Sequence, residues 1–88
     1  MIRRLKAVIH RLLYRSNEAN TTGWALMSVQ ERTAYQSRML AAESYEECKA
    51  IQQEHREEME KRAREQGVTL RTPCYNVCDR LWAKGTIK

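Results

Sequence analysis

Phenylalanine is absent from this chain of 88 residues, histidine occurs only twice, and Asp79 is its only aspartate. The chain also lacks a glycine-rich phosphate loop, an H-E-x-x-H motif and a nucleophile elbow. Those motifs carry the groups that phosphate transfer, metal-assisted hydrolysis and acyl transfer require. We therefore expect a protein that is not an enzyme and that binds no cofactor.

Long apolar runs are missing as well. No stretch approaches the roughly 20 apolar residues that span a bilayer. The start, MIRRLKAVIHRLLYRS, is charged like a signal peptide, but His10 and Arg11 interrupt its apolar part. These features favour the bacterial cytoplasm or membrane periphery. The periplasm stays open, as does the mitochondrion, because an acid-free and arginine-rich amphipathic start is typical of a presequence.

Positive charge is concentrated at the two ends of the chain. Residues 1–15 carry a net charge of +5, residues 16–70 one of −3 and residues 71–88 one of +3. An acidic middle would repel phosphates, and neither tryptophan is interleaved with basic residues. We expect no nucleic-acid partner.

The apolar spacing is helical throughout, and no stretch alternates with the period of two that strands require. The sequence predicts an all-α fold, in which an antiparallel helical hairpin is flanked by an N-terminal amphipathic helix and a short C-terminal helix. The predicted helices cover residues 2–14, 28–41, 44–66 and 73–84. The predicted organisation is a basic amphipathic docking helix (1–15), a polar linker (16–27), and the hairpin with the C-terminal helix (28–88).

Capping signals mark the predicted helix ends. Ser28 with Glu31, and Ser44 with Glu47, form S-x-x-E capping boxes that start the two hairpin helices. Gly67 suits a left-handed stop for the second helix. Thr72-Pro73 looks like an N-cap followed by proline in the first position of the last helix.

The N-terminal helix and Trp82 are the predicted partner-binding elements. The helix has a basic fringe beside an apolar face, formed by Arg3, Arg4, Arg11, Ile2, Leu5, Ile9 and Leu12. Three interpretations remain open for residues 2–14: docking into a groove of a partner protein, packing on the chain's own core, or binding to an anionic membrane surface. A thirteen-residue helix is marginal alone in water, so it must pack on something.

Cys48, His55 and Met59 lie within about 40° of one another on the long helix. One interpretation is a packing seam against helix 28–41, whose Val29, Tyr35, Met39 and Leu40 would face it. The other is a soft-metal site, since thiolate, imidazole and thioether suit Cu(I). Because Cys48 is about 10.5 Å along the axis from His55, the metal ligands would be His55, Met59, Cys74 and Cys78.

Three cysteines cannot all pair within one chain. If the last helix folds back across the hairpin, Cys48 can bond with Cys78, which we prefer, or with Cys74. Closing a loop of this size would stabilise the fold by about 3 kcal/mol.

The stretches MSVQERTAYQSRML and SYEECKAIQQEHREEMEKRAREQGVTL (residues 27–40 and 44–70) carry a resemblance. Over residues 24–80 the chain resembles small uncharacterised proteobacterial helical-hairpin proteins, mostly exported, with the pattern E-E-C, H-x3-M and R-A-x-E-x-G. It is similar, more distantly, to periplasmic stress chaperones with the L-T-x-x-Q motif. The resemblance implies the hairpin and the pairing of Cys48 with a later cysteine.

Strong helix signals combined with a thin apolar core are typical of a chain that needs a partner. Our leading hypothesis is a small helical accessory or structural subunit of a larger protein complex. The alternative is a protein that binds soft metals (copper or zinc) or senses envelope stress.

Overall fold

The computed structural model describes residues 14–73, 75–83 and 85 of the chain. Over these residues the fold is all-helical, which confirms the predicted class. A 3₁₀ turn at Trp24–Leu26 precedes three helices, which we label α1 (Val29–Ala41), α2 (Tyr45–Gln66) and α3 (Val77–Ala83). The predicted partner-binding residues before Tyr14 lie outside the described residues.

Helices α1 and α2 both begin after the predicted serine, but only α1 has a complete capping box. The Ser28 hydroxyl accepts a hydrogen bond from the Glu31 N–H, and the Glu31 carboxylate accepts one from the Ser28 N–H. At α2 the Ser44 hydroxyl accepts from the Glu47 N–H at 3.1 Å. The Glu47 carboxylate, however, accepts from the N–H of Glu43 at 2.9 Å, so the second capping box is only half formed.

Helix α2 ends at the predicted glycine. Gly67 has a φ of 66°, and its N–H donates to the Arg64 carbonyl at 3.3 Å. The Val68 N–H donates to the Ala63 carbonyl at 3.0 Å. This pair of bonds is a Schellman motif, which satisfies carbonyls that the last turn leaves without partners.

Helix α3 starts later than the sequence predicts. Thr72-Pro73 does not cap it, because the chain there lies along the segment before α1, with the Gly23 N–H donating to the Arg71 carbonyl at 3.3 Å. The first turn is capped instead by Asn76, whose side-chain oxygen accepts from the Asp79 N–H at 3.2 Å.

The core lies between α1, α2 and α3. Tyr35 and Met39 of α1 are buried, as predicted, and so are Cys48, Met59 and Ala63 of α2. Val29 was predicted to face this seam, but it is 72% exposed because it lies in the first turn of α1, away from the seam.

Ion pairs join the outer faces of α1 and α2. Arg38 contacts Glu54 at 3.0 Å, and Glu31 contacts Arg62. Arg38 near the end of α1 therefore contacts the middle of α2, and Glu31 near the start of α1 contacts Arg62 near the end of α2.

The segment predicted as a polar linker is packed against the helices. Asn20, Thr21 and Met27 are buried, although the first two are polar. The Asn20 side chain accepts hydrogen bonds from the Asn17 N–H and the Thr21 hydroxyl, and donates one to the Arg15 carbonyl. Internal hydrogen bonds of this kind remove most of the cost of burying polar groups.

Candidate functional site

A disulfide holds α3 against α2. Cys48 bonds with Cys78, the cysteine preferred from the sequence, across 30 residues of chain and with 5.7 Å between the Cα atoms. Both cysteines have no exposed surface, and Val77 and Leu81 of α3 are buried beside them. The bond fixes the position of a helix of 7 residues, which would be too short to persist alone.

On the outer side of this junction lies a group that we call the aromatic patch, formed by Tyr45, Lys49 and Trp82. Trp82 is 58% exposed. Its ring meets the Tyr45 ring edge-on, with 6.0 Å between the centroids. The Lys49 ammonium lies 5.7 Å from the centroid of the same Tyr45 ring, within the range of a cation–π contact.

The tyrosine in this patch is held by a hydrogen bond to α3. The Tyr45 hydroxyl donates to the Asp79 carboxylate at 2.6 Å, and that bond raises the pKa of the phenol. The patch is thus held by two connections between α2 and α3, the hydrogen bond and the buried disulfide.

His55 is part of the packing seam. Its ring lies 4.3 Å from the Tyr35 ring, centroid to centroid, and its Nε2 is 2.7 Å from the Thr22 carbonyl, to which it donates as the Nε2–H tautomer. Burial lowers the pKa of the imidazole. This arrangement matches the packing interpretation of the histidine, with a polar nitrogen satisfied at the edge of the core.

The predicted metal ligands are only partly brought together. His55 and Met59 line the same groove of about 650 Å³ between α1 and α2. Cys78 is bonded to Cys48, and Cys74 lies outside the described residues. Within the part of the chain that the structure describes, no three His, Cys, Asp or Glu side chains are placed to hold a metal ion. Soft-metal binding through Cys78 would require reduction of the disulfide, and it stays a prediction.

Arg62 connects α2 to both α1 and the 3₁₀ turn. Its guanidinium contacts the Glu31 carboxylate and donates to the Leu26 carbonyl at 3.0 Å, while its Nε donates to Glu58 at 3.2 Å. Hydrogen bonds from Arg62, and next from the Ser28 N–H, lower the pKa of Glu31 to about 2. The Glu58–Arg62 pair can be predicted from its i,i+4 spacing, whereas the contact with Glu31 cannot, because Glu31 and Arg62 are 31 positions apart.

The sequence analysis named Trp82 as a partner-binding residue, which stays a prediction, and it did not name Tyr45 or Lys49. Tyr45 and Lys49 have the i,i+4 spacing of neighbours on one helix face. No local pattern places this face beside Trp82, which lies 37 positions after Tyr45. The disulfide was the available signal, since Cys48 follows Tyr45 by one turn and Cys78 precedes Trp82 by one turn.

The chain matches no family model, no curated protein and no solved structure. Among the described helices, none has both the length and the apolar content needed to cross a membrane.

Proposed function

We propose that the protein is a non-catalytic helical accessory subunit that binds a larger protein assembly through the aromatic patch. The observation that carries the proposal is the exposure of Trp82 on a helix that a fully buried disulfide fixes in place. Burying a tryptophan side chain gains more free energy than burying most other side chains, because its apolar surface is large.

The chemistry of the patch suits a protein partner. Tryptophan and tyrosine are enriched among the few interface residues that dominate binding energy. Because Tyr45 is hydrogen-bonded to Asp79 and packed against Trp82, little side-chain freedom remains to be lost on binding. A preorganised aromatic pair is therefore an efficient anchor for a complex.

The disulfide supports a location for this function. Stable disulfides form and persist in secreted, periplasmic and other oxidising settings, and they are rare in reducing cytosol. The Cys48–Cys78 bond therefore favours an oxidising compartment, in contrast to the cytoplasm favoured from the character of the first residues.

Quantitative affinity purification tests the proposal. The full chain with a C-terminal tag would be recovered from its native source, together with the variants Trp82→Ala and Val29→Ala, and the co-purifying proteins compared by mass spectrometry. We expect a stoichiometric partner with the wild type and with Val29→Ala, and its loss with Trp82→Ala. Val29 is the matched control because it is apolar, 72% exposed and outside the patch.

Recovery of the wild-type chain alone, or equal recovery of the partner by Trp82→Ala, would refute the aromatic patch as the docking site. The unfolding midpoint of Val29→Ala should stay near that of the wild type, and Trp82→Ala should lower it only slightly, through the lost ring contact with Tyr45. A chain lacking residues 1–13 would test separately the docking helix predicted from the sequence.

A further inference from the structure

A second cleft opens on the side of α2 that bears Lys49. It has a volume of about 160 Å³ and is lined by residues of α2, by Thr72, Pro73 and Asn76, and by Asn20 and Thr22. Its wall from α2 contains Lys49, Gln52 and Arg56, and the opposite wall contains Thr72 and Asn76. At about 30 Å³ per water, the space holds roughly five waters or one carboxylate with its neighbouring carbons.

The lining of this cleft is suited to an anion. It includes two cations and several amide and hydroxyl donors, and no described residue that lines it is acidic. Among the described residues, no carboxylate lies within salt-bridge distance of Lys49. The Arg56 Nε donates to Glu60 at 3.1 Å, which leaves the two terminal nitrogens of its guanidinium as donors.

The amides of the cleft are also positioned to donate. The Asn76 side-chain oxygen already accepts from the Asp79 N–H, so its NH₂ group is the part that can serve a ligand. Gln52 is half-buried on the α2 wall between Lys49 and Arg56. Hydrogen bonds from a cation and neutral amides to one carboxylate are shorter and stronger than bonds between neutral groups.

The cleft is continuous with the aromatic patch through Lys49, which lines the cleft and also stands over the Tyr45 ring. We propose that the cleft is a carboxylate-binding site, which receives an aspartate or glutamate side chain of the partner while the partner's apolar surface covers Trp82. This inference rests on the proposed function and gives the partner a chemical character: an acidic side chain next to an apolar contact.

Titration of the full ¹⁵N-labelled chain by NMR tests the site without the partner. The probes are an acetylated and amidated glutamyl tripeptide, its glutaminyl equivalent and inorganic phosphate, each at constant ionic strength set with chloride. We expect saturable shifts of the side-chain amides of Gln52 and Asn76 with the glutamyl peptide, and none with the glutaminyl peptide. Lys49→Met should weaken this binding about tenfold, because it removes a charge-assisted bond.

Lys61→Met is the matched control, since it removes the same charge from an exposed position of α2 outside the cleft. It should bind the glutamyl peptide as the wild type does. Equal shifts with both peptides, equal weakening by Lys49→Met and Lys61→Met, or saturable binding of phosphate in preference to the peptide would overturn the proposal.

The titration tests the carboxylate site and the affinity purification tests the proposed function, so one proposal can be refuted while the other stands. Trp82→Ala should still bind the glutamyl peptide, because Trp82 does not line the cleft. If the wild-type chain does not bind the glutamyl peptide but still forms a complex that depends on Trp82, the carboxylate site alone is refuted. Intact peptide binding without any Trp82-dependent complex would refute the proposed function and leave the carboxylate site standing.

Discussion

At the scale of single residues, Gly23 packs closely against Met59 of α2. Its φ is 69°, in the left-handed region that side chains rarely adopt. A Cβ built there would lie 2.7 Å from the Met59 Cγ and 2.9 Å from the Met59 Cβ. Met59 is 2% exposed, and its side chain would have to shift towards the groove between α1 and α2 that it lines. Glycine therefore suits position 23 for two reasons, the left-handed backbone and the close contact with Met59.

We expect Gly23→Ala to lower the free energy of unfolding by about 2–5 kcal/mol. The left-handed backbone accounts for about 1–2 kcal/mol of this loss, and the overlap with Met59 adds about 1–3 kcal/mol. Urea unfolding followed by circular dichroism measures the change.

Gly67→Ala is the matched control for that prediction. Gly67 has a φ of 66°, and a Cβ there would meet nothing within 4 Å. The decrease in the free energy of unfolding of Gly67→Ala should be limited to the backbone contribution of about 1–2 kcal/mol. Equal losses in the two variants would contradict the argument that Gly23 is required by its contact with Met59.

At the scale of elements, the contact between α1 and α2 depends in part on charge. The Glu31 carboxylate is bonded to Arg62 of α2 and to the N-terminus of its own helix. These bonds lower its pKa from 4.5 to about 2. Because the folded state holds the proton less tightly than the unfolded state, this carboxylate stabilises the fold above pH 4.5.

We expect Glu31→Gln to reduce the free energy of unfolding at pH 7 by at most about 1 kcal/mol, because the pair is partly exposed and screened by water. The difference from the wild type should shrink as the pH falls from 4.5 towards 2, since the wild-type carboxylate then becomes protonated. Glutamine still accepts from the Ser28 N–H, so the variant isolates the ion pair.

Urea unfolding of both proteins at several pH values measures this dependence. Glu65→Gln provides the control, since Glu65 is exposed and forms no salt bridge with another described residue. A difference between Glu31→Gln and the wild type that stays constant from pH 7 to pH 2 would contradict the role of the ion pair.

At the scale of the whole molecule, the Cys48–Cys78 bond compensates for a small core. A chain of 88 residues buries little apolar surface, and α3 contributes only 7 residues to the described helices. Closing a loop of 30 residues stabilises the fold by about 3–4 kcal/mol in the chain-entropy account. That is a large share of the roughly 5–15 kcal/mol that typical domains possess.

We expect the double variant Cys48→Ala/Cys78→Ala to lose about 3–4 kcal/mol of unfolding free energy. Amide hydrogen exchange should accelerate most in Val77–Ala83, because α3 then loses its covalent connection and is held by side-chain contacts such as Leu81 and the Tyr45–Asp79 hydrogen bond. Urea unfolding and exchange mass spectrometry measure the two effects.

A thiol reductant supplies the control for this variant. It should lower the unfolding midpoint of the wild type and leave that of the double variant unchanged. Exchange in Val77–Ala83 that is as slow in the double variant as in the wild type would show that packing alone holds α3.

Local chemistry explains why the helices could be predicted. Ser28, Ser44 and Gly67 act on groups within a few residues of themselves, so α1 and α2 begin and end close to the predicted positions. Thr72-Pro73 carried the same kind of signal and was wrong as a cap for α3. Its backbone is instead held beside Gly23, a contact between parts of the chain that are distant in sequence.

The candidate sites depended on such distant contacts. The disulfide could be predicted as one of a few cysteine pairings, and Trp82 as one of several candidate partner-binding residues. Placing Tyr45 and Lys49 beside Trp82, and Lys49 opposite Asn76, required the position of α3 on α2. The burial of Asn20 and Thr21 also escaped prediction, because a polar segment reads as solvated until its hydrogen-bond partners are known.

Sequence information was therefore sufficient for the all-α class, the ends of the two longer helices and a preference for Cys78 as the partner of Cys48, since each depends on periodicity, capping or residue type. The docking of α3, the packing of the segment before α1 and the joining of the aromatic patch to an anion-suited cleft emerged from the folded arrangement alone. Each of these joins residues that are about 30 or more positions apart, and no local propensity specifies such a contact.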